Sequence, residues 1–133
     1  MQPTRVLLAE DDLDVAQILR YRFEQLGFEV THVTRGLDVL SQCRENRFSV
    51  VVLDHMLPGL TGLALCRLLR DWPAYAQVPI IMVSAMTGDL MRRQAAAAGA
   101  DIFFPKIGFM KDVVAAARRY SMETDRHPPE TFR

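Results

Sequence analysis

Apolar residues follow two rhythms along this chain. Short runs rich in Val, Leu, Ile and Phe occupy residues 6–9, 28–33, 50–53, 79–83 and 101–104. Between them, apolar residues recur every three or four positions. The runs have strand length and the recurring stretches have helical period. Val15, Ile18, Leu19, Phe23 and Leu26 form the first helical stripe, and Gly27 supplies its stop. Leu37, Val39, Leu40 and Cys43 predict a second helix over about residues 36–46. Residues 62–70 predict a third, halted near Trp72-Pro73. The alanine-rich stretch 89–98 predicts a fourth, closed by Gly99, and residues 109–120 a fifth. Pro79 opens the fourth strand, where a missing N–H is tolerated.

Five strands alternating with five helices argue for an α/β fold, a parallel sheet covered on both faces. Right-handed crossovers leave few strand orders. The flavodoxin-like order 2-1-3-4-5, a (βα)5 three-layer sandwich, is one of them, and it sets the first and third strands side by side. Residues 121–133, SMETDRHPPETFR, are polar and contain Pro128-Pro129. They read as an unpacked tail or the start of a linker, leaving residues 4–120 as the single domain.

Both adjacent strands finish in acid. The run Arg5-Val6-Leu7-Leu8-Ala9 leads into Glu10-Asp11-Asp12, and Val50-Val51-Val52-Leu53 leads into Asp54. Ligands of an open parallel sheet sit beyond the carboxyl ends of its strands. Asp11, Asp12 and Asp54 are therefore expected to converge, and they repel one another unless a cation neutralises them. Mg²⁺ suits such an all-oxygen cluster, leaving one Asp free as a nucleophile toward a phosphoryl donor. One of Asp11, Asp12 and Asp14 is also expected to cap the first helix.

The composition narrows the setting. The chain has 133 residues, 50% hydrophobic and 24% charged, enough for one domain with an ordinary solvated surface. A formal net charge of +0 gives no reason to expect nucleic-acid binding. No apolar stretch is long enough to span a bilayer, and the N-terminus lacks a signal-peptide pattern, so a cytoplasmic location is expected. Cys43 and Cys66 read as two small buried thiols.

Three further features complete an ordered set. Asp54 leads the segment DHMLPGLTG, Ser84 ends the fourth strand as Val83-Ser84-Ala85, and Lys106 ends the fifth as Phe103-Phe104-Pro105-Lys106. The set resembles the receiver domain of two-component response regulators, the CheY-like superfamily. That resemblance implies Asp54 as phosphoacceptor, taking a phosphoryl group from a sensor histidine kinase or phosphotransfer protein. It implies Asp11 and Asp12 as the Mg²⁺-holding acids, Asp12 the more direct ligand, completed by Asp54 and the backbone carbonyl of Met56. It assigns Ser84 and Lys106 to the phosphoryl oxygens and Phe103 to the aromatic whose rotamer follows Ser84. It also implies a switch rather than an enzyme, one that catalyses only its own phosphoryl transfer and slow autodephosphorylation. An output surface, or a homodimer contact, is expected on the fourth helix, fifth strand and fifth helix.

The chain departs from the family pattern at one place. The family has Lys-Pro with a cis bond before that proline, whereas here the order is Pro105-Lys106-Ile107. A cis bond before Ile107 would cost about 3 kcal/mol, so a trans bond or reshaped loop is expected, which bears on how far Lys106 reaches. This departure is the one argument for a degenerate receiver acting as a phosphorylation-independent interaction module. An aspartyl phosphatase would need a second acid two residues after Asp54, where Met56 stands. A nucleotide or flavin module would need a phosphate-binding loop where Glu10-Asp11-Asp12 stands. His55 reads as a loop residue facing solvent, and the resemblance implies that the apolar Met56 and Met86, two after Asp54 and Ser84, flank the path of an attacking water.

Overall fold

The computed structural model describes residues 3–86, 88–106, 108 and 110–126. Its elements run β1 (Arg5–Ala9), α1 (Leu13–Gln25), β2 (Glu29–Val33), α2 (Gly36–Glu45), β3 (Val50–Asp54), α3 (Gly62–Arg70), a 3₁₀ turn at Pro73–Tyr75, β4 (Ile80–Ser84), α4 (Asp89–Ala98), β5 (Ile102–Pro105) and α5 (Met110–Arg126). The strands form one parallel sheet in the order β2-β1-β3-β4-β5, as the alternation predicts.

Strand alternation sorts the core into two layers. Leu7, Ala9, Val51, Leu53, Ile80 and Met82 face α2, α3 and α4. Val6, Leu8, Val50, Val52, Ile81 and Val83 face α1 and α5. Every residue of β3 and β4 is buried, which explains why these strands read as unbroken apolar runs rather than alternating ones.

One difference from the sequence reading stands out. The last helix continues past Tyr120 to Arg126, and Ser121 is buried with its hydroxyl bonded to the Arg118 carbonyl. A polar composition hid this turn, because one buried face suffices to hold a helix. The rest of the expected tail, residues 127–133, lies outside the described residues. So does Ile107, and with it the bond expected to be trans; among the described residues there is no cis peptide.

Two glycines place the loops that matter. Gly62 opens α3 so close to the chain that a Cβ there would lie 2.8 Å from the His55 Cα. Gly59, in the same loop, has φ +93°, a left-handed conformation that other residues rarely adopt. Together they fold the segment after Asp54 tightly over the end of β3.

Candidate functional site at the carboxyl edge of the sheet

The register of β1 on β3 ends with Ala9 opposite Leu53, so the next residues, Glu10 and Asp54, stand level with each other. Both are buried, at 2% and 3% exposure, whereas the neighbouring Asp11 is exposed. One carboxylate oxygen from each of Glu10, Asp11 and Asp54 lies within 4.8 Å of the others. Lys106 reaches in from the end of β5. Its ammonium donates to Asp54 Oδ2 at 2.8 Å and to Glu10 Oε2 at 2.7 Å. The reordered Pro105-Lys106-Ile107 segment therefore does not withdraw the lysine from Asp54.

The structure corrects the acidic pair. Asp12 does not join the cluster; it is the N-cap of α1, its side chain accepting from the backbone N–H groups of Asp14 and Val15. Glu10 takes the inner position instead, and accepts from the Asp12 N–H at 3.1 Å. A signal for this was present in the sequence. Aligning the two apolar runs end to end sets Glu10, not Asp12, beside Asp54. The capping expectation, by contrast, is met by Asp12.

Burial governs the electrostatics. It raises the Glu10 carboxyl above its ordinary value, against the opposing pull of the Lys106 hydrogen bond. Burial alone would lower the Lys106 ammonium, but the hydrogen bonds to Asp54 and Glu10 outweigh it and hold that group above its usual value. Three carboxylates thus face a single ammonium, leaving a formal excess of two negative charges. Such an excess, carried by hard oxygens with one carboxylate open to solvent, fits a divalent cation such as Mg²⁺.

The other candidate residues frame this centre. Ser84 is fully buried; its hydroxyl accepts from Met86 N–H at 2.9 Å and its carbonyl accepts from Lys106 N–H at 2.8 Å. Those bonds tie the β4–α4 loop to the lysine. Met56 N–H donates to Asp54 Oδ1 at 3.3 Å, so the Met56 backbone is anchored to the central carboxylate while its side chain is exposed. The Met86 side chain is exposed as well. Phe103 lies apart from the acids, buried in the layer under α4, with the Arg92 guanidinium 5.2 Å above its ring. His55, expected in solvent, is instead buried, and its Nδ1 has no hydrogen-bond partner. Its backbone bonds Val83 and Gly62, which hold it under the loop. Burial lowers its pKa, although the nearby Asp54 charge pulls the other way.

A family model for the response regulator receiver domain matches residues 6–118. The chain belongs to the response regulator receiver family. Among its relatives is the phosphate regulon transcriptional regulatory protein PhoB of Rhizobium meliloti, 36% identical over 77% of this chain and 45% of that protein. Another is the DNA-binding response regulator MtrA of Mycobacterium tuberculosis, 34% identical over 95% of this chain and 54% of that protein. The chain thus spans about half the length of the curated relatives it matches. The receiver domain of the Francisella response regulator 1452 superposes with a TM-score of 0.85 at 26% identity, covering 91% of this chain and 98% of that one. Among the described residues, no helix of this receiver is long and apolar enough to cross a membrane.

Proposed function

We propose that this receiver is a phosphorylation switch in which Asp54 accepts a phosphoryl group from a sensor histidine kinase or phosphotransfer protein. The observation that carries the reading is the shared lysine. Lys106 bonds Asp54 and Glu10 at once, so a new charge on Asp54 would redirect a contact already in place. Glu10, Asp11, Asp54 and the Met56 carbonyl would hold Mg²⁺, which supplies charge neutralisation during phosphoryl transfer. Asp12 keeps its helix cap and sits outside that set.

Among the described residues, the Ser84 hydroxyl is held by one N–H, that of Met86 in its own loop. Donating its O–H to a phosphoryl oxygen would draw the β4–α4 loop inward and open space toward Phe103. The altered equilibrium would be read on α4, β5 and α5 by an effector, in the cytoplasm where its kinase acts. The module's chemistry is confined to its own phosphorylation and slow dephosphorylation. The alternative of a phosphorylation-independent module rested on the displaced proline, and the 2.8 Å Lys106–Asp54 contact speaks against it.

Intact mass after incubation with Mg²⁺ and acetyl phosphate tests the proposal. One phosphoryl mass is expected on the native chain and none on Asp54→Ala. An unmodified native chain, or a modified Asp54→Ala, rejects it.

A further inference from the structure

We propose that the groove between α1 and α5 docks an acidic amphipathic helix of a partner protein. The groove measures about 710 Å³ and is separate from the phosphorylation site. Its α1 wall is the last turn, Arg22, Gln25 and Leu26, at the opposite end of the helix from the Asp12 cap. Its α5 wall runs from Lys111 to Met122, roughly 16 Å at helical rise, which matches about three turns of a partner helix.

Charge identifies the occupant. Arg22, Lys111, Arg118 and Arg119 line the groove and, among the described residues, no acid does, although the chain as a whole has no net charge. On α5 the cations at 111, 118 and 119 share one exposed face with Ala115 and Met122, a stripe at helical spacing. Between the cations the floor is apolar, provided by Leu26, Val114 and Met122. An apolar floor flanked by cations is the complement of a helix with one apolar stripe edged by Glu or Asp. A second copy fits poorly, since a two-fold contact would set these cations against themselves. A bilayer fits poorly too, because the surface is a concave groove and a bilayer is flat.

The proposal stands apart from phosphorylation of Asp54, and its test needs none. The probe is a fluorescein-labelled 18-residue peptide with Leu on one helical face and Glu along both edges. Its controls are the same residues in scrambled order and the same helix with Lys for Glu. Fluorescence anisotropy should show the Glu helix binding and both controls binding at least about tenfold more weakly. Arg118→Glu/Arg119→Glu should weaken the Glu helix at least about tenfold, with an unchanged circular dichroism spectrum. Should that pair fail to fold, Leu26→Glu on the other wall must produce the same loss. Equal binding of the scrambled peptide, or undiminished binding by these variants, overturns the proposal. It is also overturned if phosphatidylglycerol vesicles compete the Glu helix off completely, or if sedimentation shows a dimer that Arg118→Glu/Arg119→Glu dissolves.

Discussion

The two edges of the sheet each hold a carboxylate against a cation, buried at one and half-buried at the other, and they treat it in opposite ways. At the amino edge of β4 and β5, Asp101 Oδ2 accepts from Arg70 Nη2 at 2.9 Å and from Ile80 N–H at 2.8 Å. The same guanidinium donates to the carbonyls of Gly99, Tyr75 and Val78. Each charge is matched and several donors of the fork are used, which is what arginine geometry permits. At the carboxyl edge, one lysine serves two buried carboxylates while a third lies alongside in solvent. The amino edge is a finished network that holds α3, α4 and β5 together. The carboxyl edge carries unmatched negative charge, so it can gain from a cation or be rearranged by a phosphoryl group. Within one sheet, saturation marks the structural edge and deficit marks the edge proposed to carry the switch.

The largest expected effect lies at the saturated edge. Arg70→Met should strand the half-buried Asp101 carboxylate and several carbonyls, costing about 3 kcal/mol, the low end of the range for broken buried pairs. Urea denaturation measures it. The loss should be the same with and without Mg²⁺; a loss that Mg²⁺ repairs would mean the two edges are not separable.

The deficient edge should respond to the metal instead. At ten times its dissociation constant, Mg²⁺ should stabilise the native chain by about 1.4 kcal/mol through mass action. Asp11→Ala should erase that gain. Asp12→Ala should keep it while lowering baseline stability by about 1 kcal/mol, the usual cost of a lost N-cap. Thermal melts of both variants with and without Mg²⁺ decide which acid belongs to the cluster. If Asp12→Ala is the one that loses the metal response, the assignment of Glu10 and Asp11 fails.

A third test probes the histidine beneath the deficient edge. His55→Leu removes a buried nitrogen without a partner and should raise stability at neutral pH by about 1 kcal/mol. It should also change the pH profile. Burial holds the folded-state pKa of His55 below its ordinary 6.5, so below that value the unfolded chain binds the extra proton more readily. The stability contributed by neutral His55 is therefore complete above about 6.5 and is lost as pH falls through the lowered pKa. Denaturation at pH 7.5 and pH 5 should show a steeper acid loss for the wild type than for His55→Leu. Parallel losses would place the imidazole in contact with water.

The contrast between edges also shows what the sequence could disclose. Five strands and their order were legible because Val50, Val51, Val52 and Leu53 form an apolar run no exposed segment would carry, and Gly27 and Gly99 mark helix ends. Asp54 and Lys106 were legible because each stands at the end of its own apolar run. The inner acid was missed, because Glu10, Asp11 and Asp12 are consecutive and residue type does not single one out; only matching the ends of the two apolar runs does, as the register shows. His55 was misplaced for a similar reason. Its place between Asp54 and the Pro58-Gly59 turn suggests a loop open to solvent, yet the tight Gly62 approach folds the backbone over it. The Arg70 network was not visible either, since it joins residues 29 and 31 positions apart through carbonyls that leave no trace in side-chain pattern.

The smallest expected effect concerns how long the phosphorylated deficit persists. The backbone of Met56 is fixed to Asp54 and that of Met86 to Ser84, so both residues adjoin the site. They are 56% and 53% exposed, apolar, and unable to accept a strong hydrogen bond from water. Hydrolysis of the acyl phosphate needs a water held in line with the leaving Asp54 oxygen. Two methionines hold none, so a comparatively long-lived phosphorylated state is expected, without any effect on metal binding through the Met56 carbonyl. Met56→Asn and Met86→Glu would each offer a polar group in that path. Each should speed phosphate loss severalfold, equivalent to about 1 kcal/mol in the barrier. Following the phosphorylated mass over time after removal of acetyl phosphate measures this. Equal or slower loss in both variants would mean that the methionines merely cover the loops and that lifetime is set by the acids and Lys106.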